Sequence, residues 1–155
     1  MQNKITPFFW FDKNMDEILE YYKNIFNSDA EENFKVESIN KISDTQSVVV
    51  EIVVVNLFGN IYQFMTAGPY FKFSEAISLV INTEDQEETD KYWDYFTKEG
   101  SESQCGWCKD RYGLSWQIVP KQLSELTASK DIEIAKYATE QMLKMKKIII
   151  KDLFE

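Results

Sequence analysis

The chain opens on an apolar run of strand length, KITPFFWF at 4–11. Behind it, apolar residues recur at three- and four-residue spacing, at Met15, Ile18, Leu19, Tyr22, Ile25 and Phe26, which predicts an amphipathic helix. Asp12 or Asn14 can cap its start, since a short side-chain oxygen there accepts from the first free backbone N–H groups. Three strand candidates follow: 32–40, the β-branched SVVVEIVVVNL at 47–57, and IYQFMT at 61–66. Phe58-Gly59-Asn60 separates the last two as a hairpin turn would.

The pattern then starts again. AISLVINT at 76–83 predicts a strand, and 86–99 a helix with Thr89, Tyr92, Trp93 and Phe96 on one face. Strands are predicted near 102–109 and at 115–119, joined by the turn Asp110-Arg111-Tyr112-Gly113. A shift of 71 positions sets Ile5 on Ala76, Phe8 on Leu79, Trp10 on Ile81, and Tyr21-Tyr22 on Tyr92-Trp93. A β-α-β-β-β order read twice predicts a single α+β domain over 1–155, with a first module at 4–67, a second at 74–120 and GPYFKF (68–73) as linker. A C-terminal extension over 121–155 becomes a helical tail from about 131, with Ile134, Ala135, Ala138, Met142, Met145 and Ile149 in one stripe. The stripe reads as ordinary packing, in part across a dimer interface; a calmodulin-like partner groove is the alternative.

Composition narrows the chemistry. At 155 residues and 44% hydrophobic content the chain can bury a real core. Twenty-six acidic against 17 basic residues give a net charge of −9, and Arg111 is the only arginine. That balance argues against nucleic acid or an anionic membrane as partner, because either needs clustered cations. The start has no secretory pattern and no segment approaches about twenty uninterrupted apolar residues, so a cytoplasmic protein is expected. Histidine is absent. This removes the commonest metal ligand and excludes Ser-His-Asp and Cys-His catalysis within one chain.

Cys105-Gly-Trp-Cys108 has the spacing of a redox pair or half a zinc site. A redox thiolate needs a helix N-terminus behind it, and here a strand and a turn follow; zinc would need soft ligands that the chain lacks. Two reduced thiols on one strand is the reading. The run Glu84, Asp85, Glu87, Glu88, Asp90 stands at a helix start, where acids favour the positive dipole end, and reads as a helix-stabilising face. Lys109 and Arg111 could attract an anionic ligand, with solvated turn charges as the simpler account.

ITPFFWFD (5–12), GPYFKFSEAIS (68–78), EDQEETDKYWD (84–94), SQCGWCKDRYGLSWQIVP (103–120) and QMLKMKKIII (141–150) together resemble the PhnB-like proteins labelled 3-demethylubiquinone-9 3-methyltransferase. These are a branch of the vicinal oxygen chelate superfamily of glyoxalases, bleomycin-resistance proteins and extradiol dioxygenases. The resemblance implies the glyoxalase/bleomycin resistance-like fold, in which each module curls into a half-open β cup. Active members hold a divalent metal there with one residue from the first and last strand of each module. Carried over one at a time, those places fall on Ile5, Gln63, Ala76 and Gln117. Two neutral amides and two hydrocarbons do not replace the charged donors a divalent cation needs, so no catalytic metal and no cofactor are expected.

With Ile5 facing the cleft, strand alternation places Pro7, Phe9 and Phe11 there too, and Phe8 and Trp10 under the first helix. Gln63 then shares its face with Ile61 and Met65, and Gln117 with Ser115 and Val119, leaving Trp116 and Ile118 for the core. The expected ligand-binding set is Ile5, Phe9, Phe11, Gln63, Met65, Ala76, Trp107 and Gln117. The bland alternative is that these side chains merely fill the cup. The expectation is a metal-independent homodimer that binds a small hydrophobic or aromatic molecule. The rival is a lyase, isomerase or dioxygenase whose metal is held by other residues, such as Glu51 or Glu75; an interaction protein with a vestigial cup is a third reading. Methyl transfer is unsupported, since no glycine-rich strand-to-helix turn for a nucleotide-like cofactor is present.

Overall fold

The computed structural model describes residues 3–43 and 49–155, which fall into two compact units divided between Lys72 and Phe73. The first unit runs β1 (Phe8–Phe11), α1 (Met15–Phe26), β2 (Phe34–Ser43), β3 (Val49–Leu57) and β4 (Asn60–Thr66). Its sheet has the order β1-β4-β3-β2, with β1 parallel to β4 and the other pairs antiparallel. The parallel pair follows from α1, because a strand can return in the same direction only through a crossover. Asn14 caps α1, its side chain accepting from Asp16 N at 2.9 Å and Glu17 N at 3.3 Å. At the other end Asn27 donates to Phe34 O and accepts from Phe34 N at 2.7 Å, which ties the helix to the start of β2. The β3–β4 turn has both central residues at positive φ, Phe58 at 49° and Gly59 at 83°, as a two-residue hairpin of matching twist requires. Strand candidate 47–57 is observed from Val49, and its first two residues lie outside the described residues.

One face of this sheet packs on α1. Tyr22, Phe26 and Ile18 on the helix and Phe11, Phe64, Val53 and Val55 on the sheet are all buried, and Tyr22 meets Phe64 at 5.7 Å. Phe11 lies edge-on to Phe64 at 5.0 Å and to Tyr22 at 6.1 Å. Each such side chain taken from water stabilises the unit by on the order of 2 kcal/mol.

The second unit repeats the plan with β5 (Ser78–Thr83), α2 (Gln86–Glu99), β6 (Ser101–Glu102), β7 (Trp107–Lys109) and β8 (Ser115–Pro120), in the order β5-β8-β7-β6. The strand expected near 102–109 is thus two short pieces separated by a turn. β5 is parallel to β8, and α2 covers one face through Phe96, whose ring stacks on Trp116 at 4.7 Å. The acidic run at the helix start is structural, as expected: Asp85 caps α2 through Glu88 N, Glu88 accepts from Glu84 N, and Glu84 pairs with Lys121.

The 71-residue shift holds for the helices and fails for the strands. N-caps Asn14 and Asp85 are 71 apart (85 − 14), as are the buried pairs Ile18/Thr89, Tyr21/Tyr92, Tyr22/Trp93 and Ile25/Phe96. The last strand residues Phe11 and Thr83 are 72 apart (83 − 11) and both face their helix, Phe11 against Tyr22 and Thr83 bonded to Thr89. Two residues, Asp12 and Lys13, link strand to cap in the first unit, and only Glu84 does so in the second. A one-residue slip exchanges the two faces of a strand, so Ile5 and Ala76 are not equivalent: Ala76 shares the parity of Ser78, Ile5 has the opposite parity to Thr6, and the facing assigned to β1 from Ile5 reverses.

The tail is not one long helix. After β8 come α3 (Lys121–Thr127), α4 (Ile132–Met142), a passage of turns and bends and a 3₁₀ turn (Ile150–Leu153). Leu123, Ile148 and Leu153 form a buried cluster with Met142 and Met145 against it, so those two methionines pack inside the unit. Gln86 on α2 donates to Ile148 O at 3.1 Å and accepts from Ile150 N at 2.8 Å, and Lys147 pairs with Asp90 and Asp94. Among the described residues no helix is long and apolar enough to cross a membrane.

Candidate functional site

Each sheet has one face on its helix and one face turned away, and the candidate chemistry lies on the faces turned away. In the first unit the register sets Phe8 level with Gln63 and Trp10 level with Met65 in the parallel pair. β3 continues these rows with Val54 opposite Gln63 and Ile52 opposite Met65. The open face therefore sets Phe8, Trp10, Ile52, Val54, Ile61 and Met65 around Gln63, with Asn56 level with Ile61 and Asn40 level with Ile52 further out. Phe8 and Asn40 are exposed and the others are half-buried.

This corrects the expected lining. Phe9 and Phe11 point to the helix side: Phe11 is 1% exposed, and Phe9 stacks on Tyr62 at 6.0 Å beside Phe64. Phe8 and Trp10 take the open face instead. Ile5 lies in a bend before β1 and is 88% exposed, and Ala76 lies in the exposed turn before β5. Neither belongs to a strand. Gln63 and Met65 are on the open face with Ile61, as the alternation of β4 indicated.

Trp10 is covered by the segment that leaves β4. Its Nε1 donates to Gly68 O at 2.9 Å, and Tyr70 and Phe71 stand edge-on to it at 6.1 and 5.0 Å. The segment GPYFKF, a linker by its place between the two repeats, thus also packs on Trp10, and nothing in FFWF signals this because apolar residues occupy both of its faces.

In the second unit Val80, Gln117 and Trp107 form one level row across β5, β8 and β7. Ser78, Ser115 and Lys109 form the row beside it. Trp116 and Ile118 are buried on the helix side, as expected. Lys109 Nζ pairs with Glu75 at 2.6 Å, and this contact holds the Glu75 carboxyl below the usual carboxylate range.

The two closing glutamines make the same bond. Gln63 Nε2 donates to Thr6 Oγ1 at 2.9 Å, and Gln117 Nε2 donates to Ser78 Oγ at 2.9 Å. Thr6 and Ser78 are 72 apart (78 − 6), the strand offset, so they rather than Ile5 and Ala76 stand next to the glutamines. In either unit a divalent cation would meet one hydroxyl and one neutral amide at this place. No carboxylate, imidazole or thiolate is in the set, and the residues do not fit a hard catalytic metal. Among the described residues no group of three or more Cys, Asp or Glu is placed to hold a metal. Glu51 sits level with Thr66 on the helix-side face and pairs with Lys41 at 2.7 Å, so it cannot join Gln63.

The two cysteines differ in kind, which corrects the reading of two strand thiols. Cys105 and Gly106 are the central residues of a tight turn, at φ 58° and 83°, closed by Trp107 N donating to Gln104 O at 3.0 Å. Cys105 N donates to Met145 O at 2.8 Å and Gly106 N to Lys146 O at 2.7 Å, so the turn docks the C-terminal passage. Only Cys108 is on a strand, where it is buried, and burial followed by the Asp110 charge pushes its thiol up to about 12. A thiol held protonated in this way is not a nucleophile.

Asp110 is buried and organises the turn that follows. Its Oδ1 accepts from Tyr112 N at 2.9 Å and Leu114 N at 3.1 Å, and its Oδ2 accepts from Trp116 Nε1 at 2.8 Å. Arg111 beside it pairs with Glu99 at 3.5 Å. A surface depression of about 400 Å³ beside the end of α1 is lined by Lys23, Asn24, Asn27 and Glu31, on the helix side of the first unit's sheet.

Comparison with known proteins agrees with this layout. The family model described as 3-demethylubiquinone-9 3-methyltransferase matches residues 3–119. The PhnB protein from Bacillus cereus is 24% identical with a TM-score of 0.60, over 76% of this chain and 99% of that one. A protein from Pseudomonas aeruginosa is 16% identical with a TM-score of 0.53, over 77% and 98%. The genomically encoded fosfomycin resistance protein FosX from Listeria monocytogenes is 14% identical with a TM-score of 0.53, over 77% and 93%. At these identities the structures show the shared fold, the glyoxalase/bleomycin resistance-like one. No curated protein sequence matches the chain.

Proposed function

The chain belongs to the 3-demethylubiquinone-9 3-methyltransferase family, the PhnB-like branch of the vicinal oxygen chelate superfamily, and from that premise we propose that it binds a small aromatic or hydrophobic molecule on its open sheet faces without a catalytic metal. The observation that carries this reading is the pair of amide–hydroxyl bonds, Gln63 to Thr6 and Gln117 to Ser78, at the places where a metal-holding member needs charged donors. The apolar residues beside them support an apolar ligand: Phe8, Met65 and Ile61 in one unit, Val80 and Trp107 in the other. A largely apolar surface with a few placed amides is the usual make-up of a small-molecule site. The protein acts as a homodimer in this reading.

Methyl transfer forms no part of it, whatever the family's description. Both sheets are mixed and four-stranded, and among the described residues no strand passes through a glycine-rich turn into a helix as a nucleotide-like cofactor requires. The competing reading is a metal-dependent lyase, isomerase or dioxygenase. It is weakened by the engagement of Glu51 with Lys41 and of Glu75 with Lys109.

Two measurements decide. Thermal-shift and calorimetric titration with planar aromatic molecules should give saturable binding that Gln117→Leu abolishes. Metal analysis of protein purified without chelators should find no stoichiometric divalent ion; one equivalent per chain would overturn the metal-free reading in favour of the enzyme.

A further inference from the structure

The row Ser78–Ser115–Lys109 has an unusual balance of donors and acceptors. Ser115 is 1% exposed, shares the face of Gln117, and stands level with Ser78 on one side and Lys109 on the other. Its hydroxyl has no hydrogen-bond partner. A buried hydroxyl left unpaired is costly, and in a native fold it calls for an explanation. Ser78 Oγ accepts from Gln117 Nε2, which leaves its own hydrogen to donate. Gln117 Nε2 has a second hydrogen, and Lys109 brings an ammonium group. Polar hydrogens thus converge on one short stretch of sheet. Lys109 among them meets an acceptor from outside it, the carboxylate of Glu75 in the turn before β5, at 2.6 Å.

We propose that Ser78, Ser115, Gln117 and Lys109 form an oxyanion subsite that takes the carboxylate of a monoanionic aromatic ligand, with Glu75 as the internal group that the ligand displaces. The charge follows from the row: it holds one cation, which one carboxylate neutralises. The aromatic body follows from the neighbouring row, where the Trp107 indole and Val80 lie level with Gln117. Displacement is within reach because the Glu75 side chain is 66% exposed and that of Lys109 is 33% exposed. An ion pair so open to water contributes little to stability. A ligand carboxylate exchanges one charged partner of Lys109 for another and gives the Ser115 hydroxyl the acceptor it lacks.

This inference rests on the small-molecule reading above and refines it. The test compares 2-naphthoate with the neutral 2-naphthamide by calorimetry and tryptophan quenching, on the full chain and on Lys109→Met, Ser115→Ala and Glu75→Gln. Naphthoate should bind more tightly than naphthamide, and Glu75→Gln should tighten naphthoate by about tenfold without moving naphthamide. Lys109→Met and Ser115→Ala should each weaken naphthoate by about tenfold. Ser115→Ala removes an unpaired buried hydroxyl, so its melting temperature should hold or rise, which separates lost binding from lost folding. If naphthoate and naphthamide bind alike to all four proteins, the carboxylate subsite is overturned and the aromatic-ligand reading stands. If neither binds to any of them, both are overturned.

Discussion

Gln117 donates its side-chain amide to Ser78 Oγ at 2.9 Å, across the parallel pairing of the first and last strands of its module. The bond recurs between Gln63 and Thr6 in the other module, at the strand offset and with the same donor and acceptor types. Each module thus carries the same neutral amide–hydroxyl pair, which the proposed metal-free reading rests on.

Gln117→Leu should leave the fold intact, because Ser78 is half-buried and regains water as a partner. We expect a loss of about 1 kcal/mol of unfolding free energy in urea and complete loss of ligand-induced thermal shift. A variant that melts normally and still shifts with ligand would remove Gln117 from the site.

Asp110→Ala should be among the most damaging single changes in the second module. It strands three donors at once, the N–H groups of Tyr112 and Leu114 and the Trp116 indole. A cost of about 3 kcal/mol is expected, with altered fluorescence from Trp116. Asp110→Asn keeps one carbonyl oxygen and should cost roughly half as much.

Gly106→Ala should release the C-terminal passage. Position 106 needs φ +83°, and a Cβ there would stand 2.7 Å from Ile118 O and 3.2 Å from the Ile148 side chain. Relief requires the turn to shift, and that shift breaks the bonds from Cys105 and Gly106 to Met145 and Lys146. A destabilisation of about 2–4 kcal/mol is expected, with new proteolytic cleavage between residues 143 and 149.

Cys108 carries a pH dependence whose sign can be stated. Its native thiol is pushed up to about 12 from an ordinary 9.0. Below pH 9 both folded and unfolded chains hold the proton and nothing is lost. Above it the unfolded chain releases a proton that the native chain keeps, so stability falls through pH 9 to 12 by up to about 1.4 kcal/mol per unit. Cys108→Val, close in volume and without an ionisable group, should flatten that alkaline decline in chemical unfolding. In native protein a thiol reagent at neutral pH should modify Cys105 and leave Cys108 until denaturant is added.

Much of the architecture is written in local spacing. The stripes Ile18, Tyr22, Ile25 and Thr89, Trp93, Phe96 alternate with charged residues at helical period, so the sequence alone determines both helices and the face each buries. The alternation in IYQFMT and SWQIVP likewise places Gln63 and Gln117 on the faces away from their helices. A pattern of apolar and polar positions is informative because burial discriminates between them. FFWF has no such contrast, and its two faces are indistinguishable until a partner strand and a helix are in place. The connection from strand to helix is one residue shorter in the second module, a difference invisible in the 71-residue self-match of the helices, and it was pairing with β4 that put Phe8 rather than Phe9 outside. Residue spacing was equally silent on Cys105 and Cys108, since three positions along the chain say nothing of a turn at positive φ. Tertiary structure settled these points because facing is a relation between a strand and what packs on it, and no single strand's composition contains it.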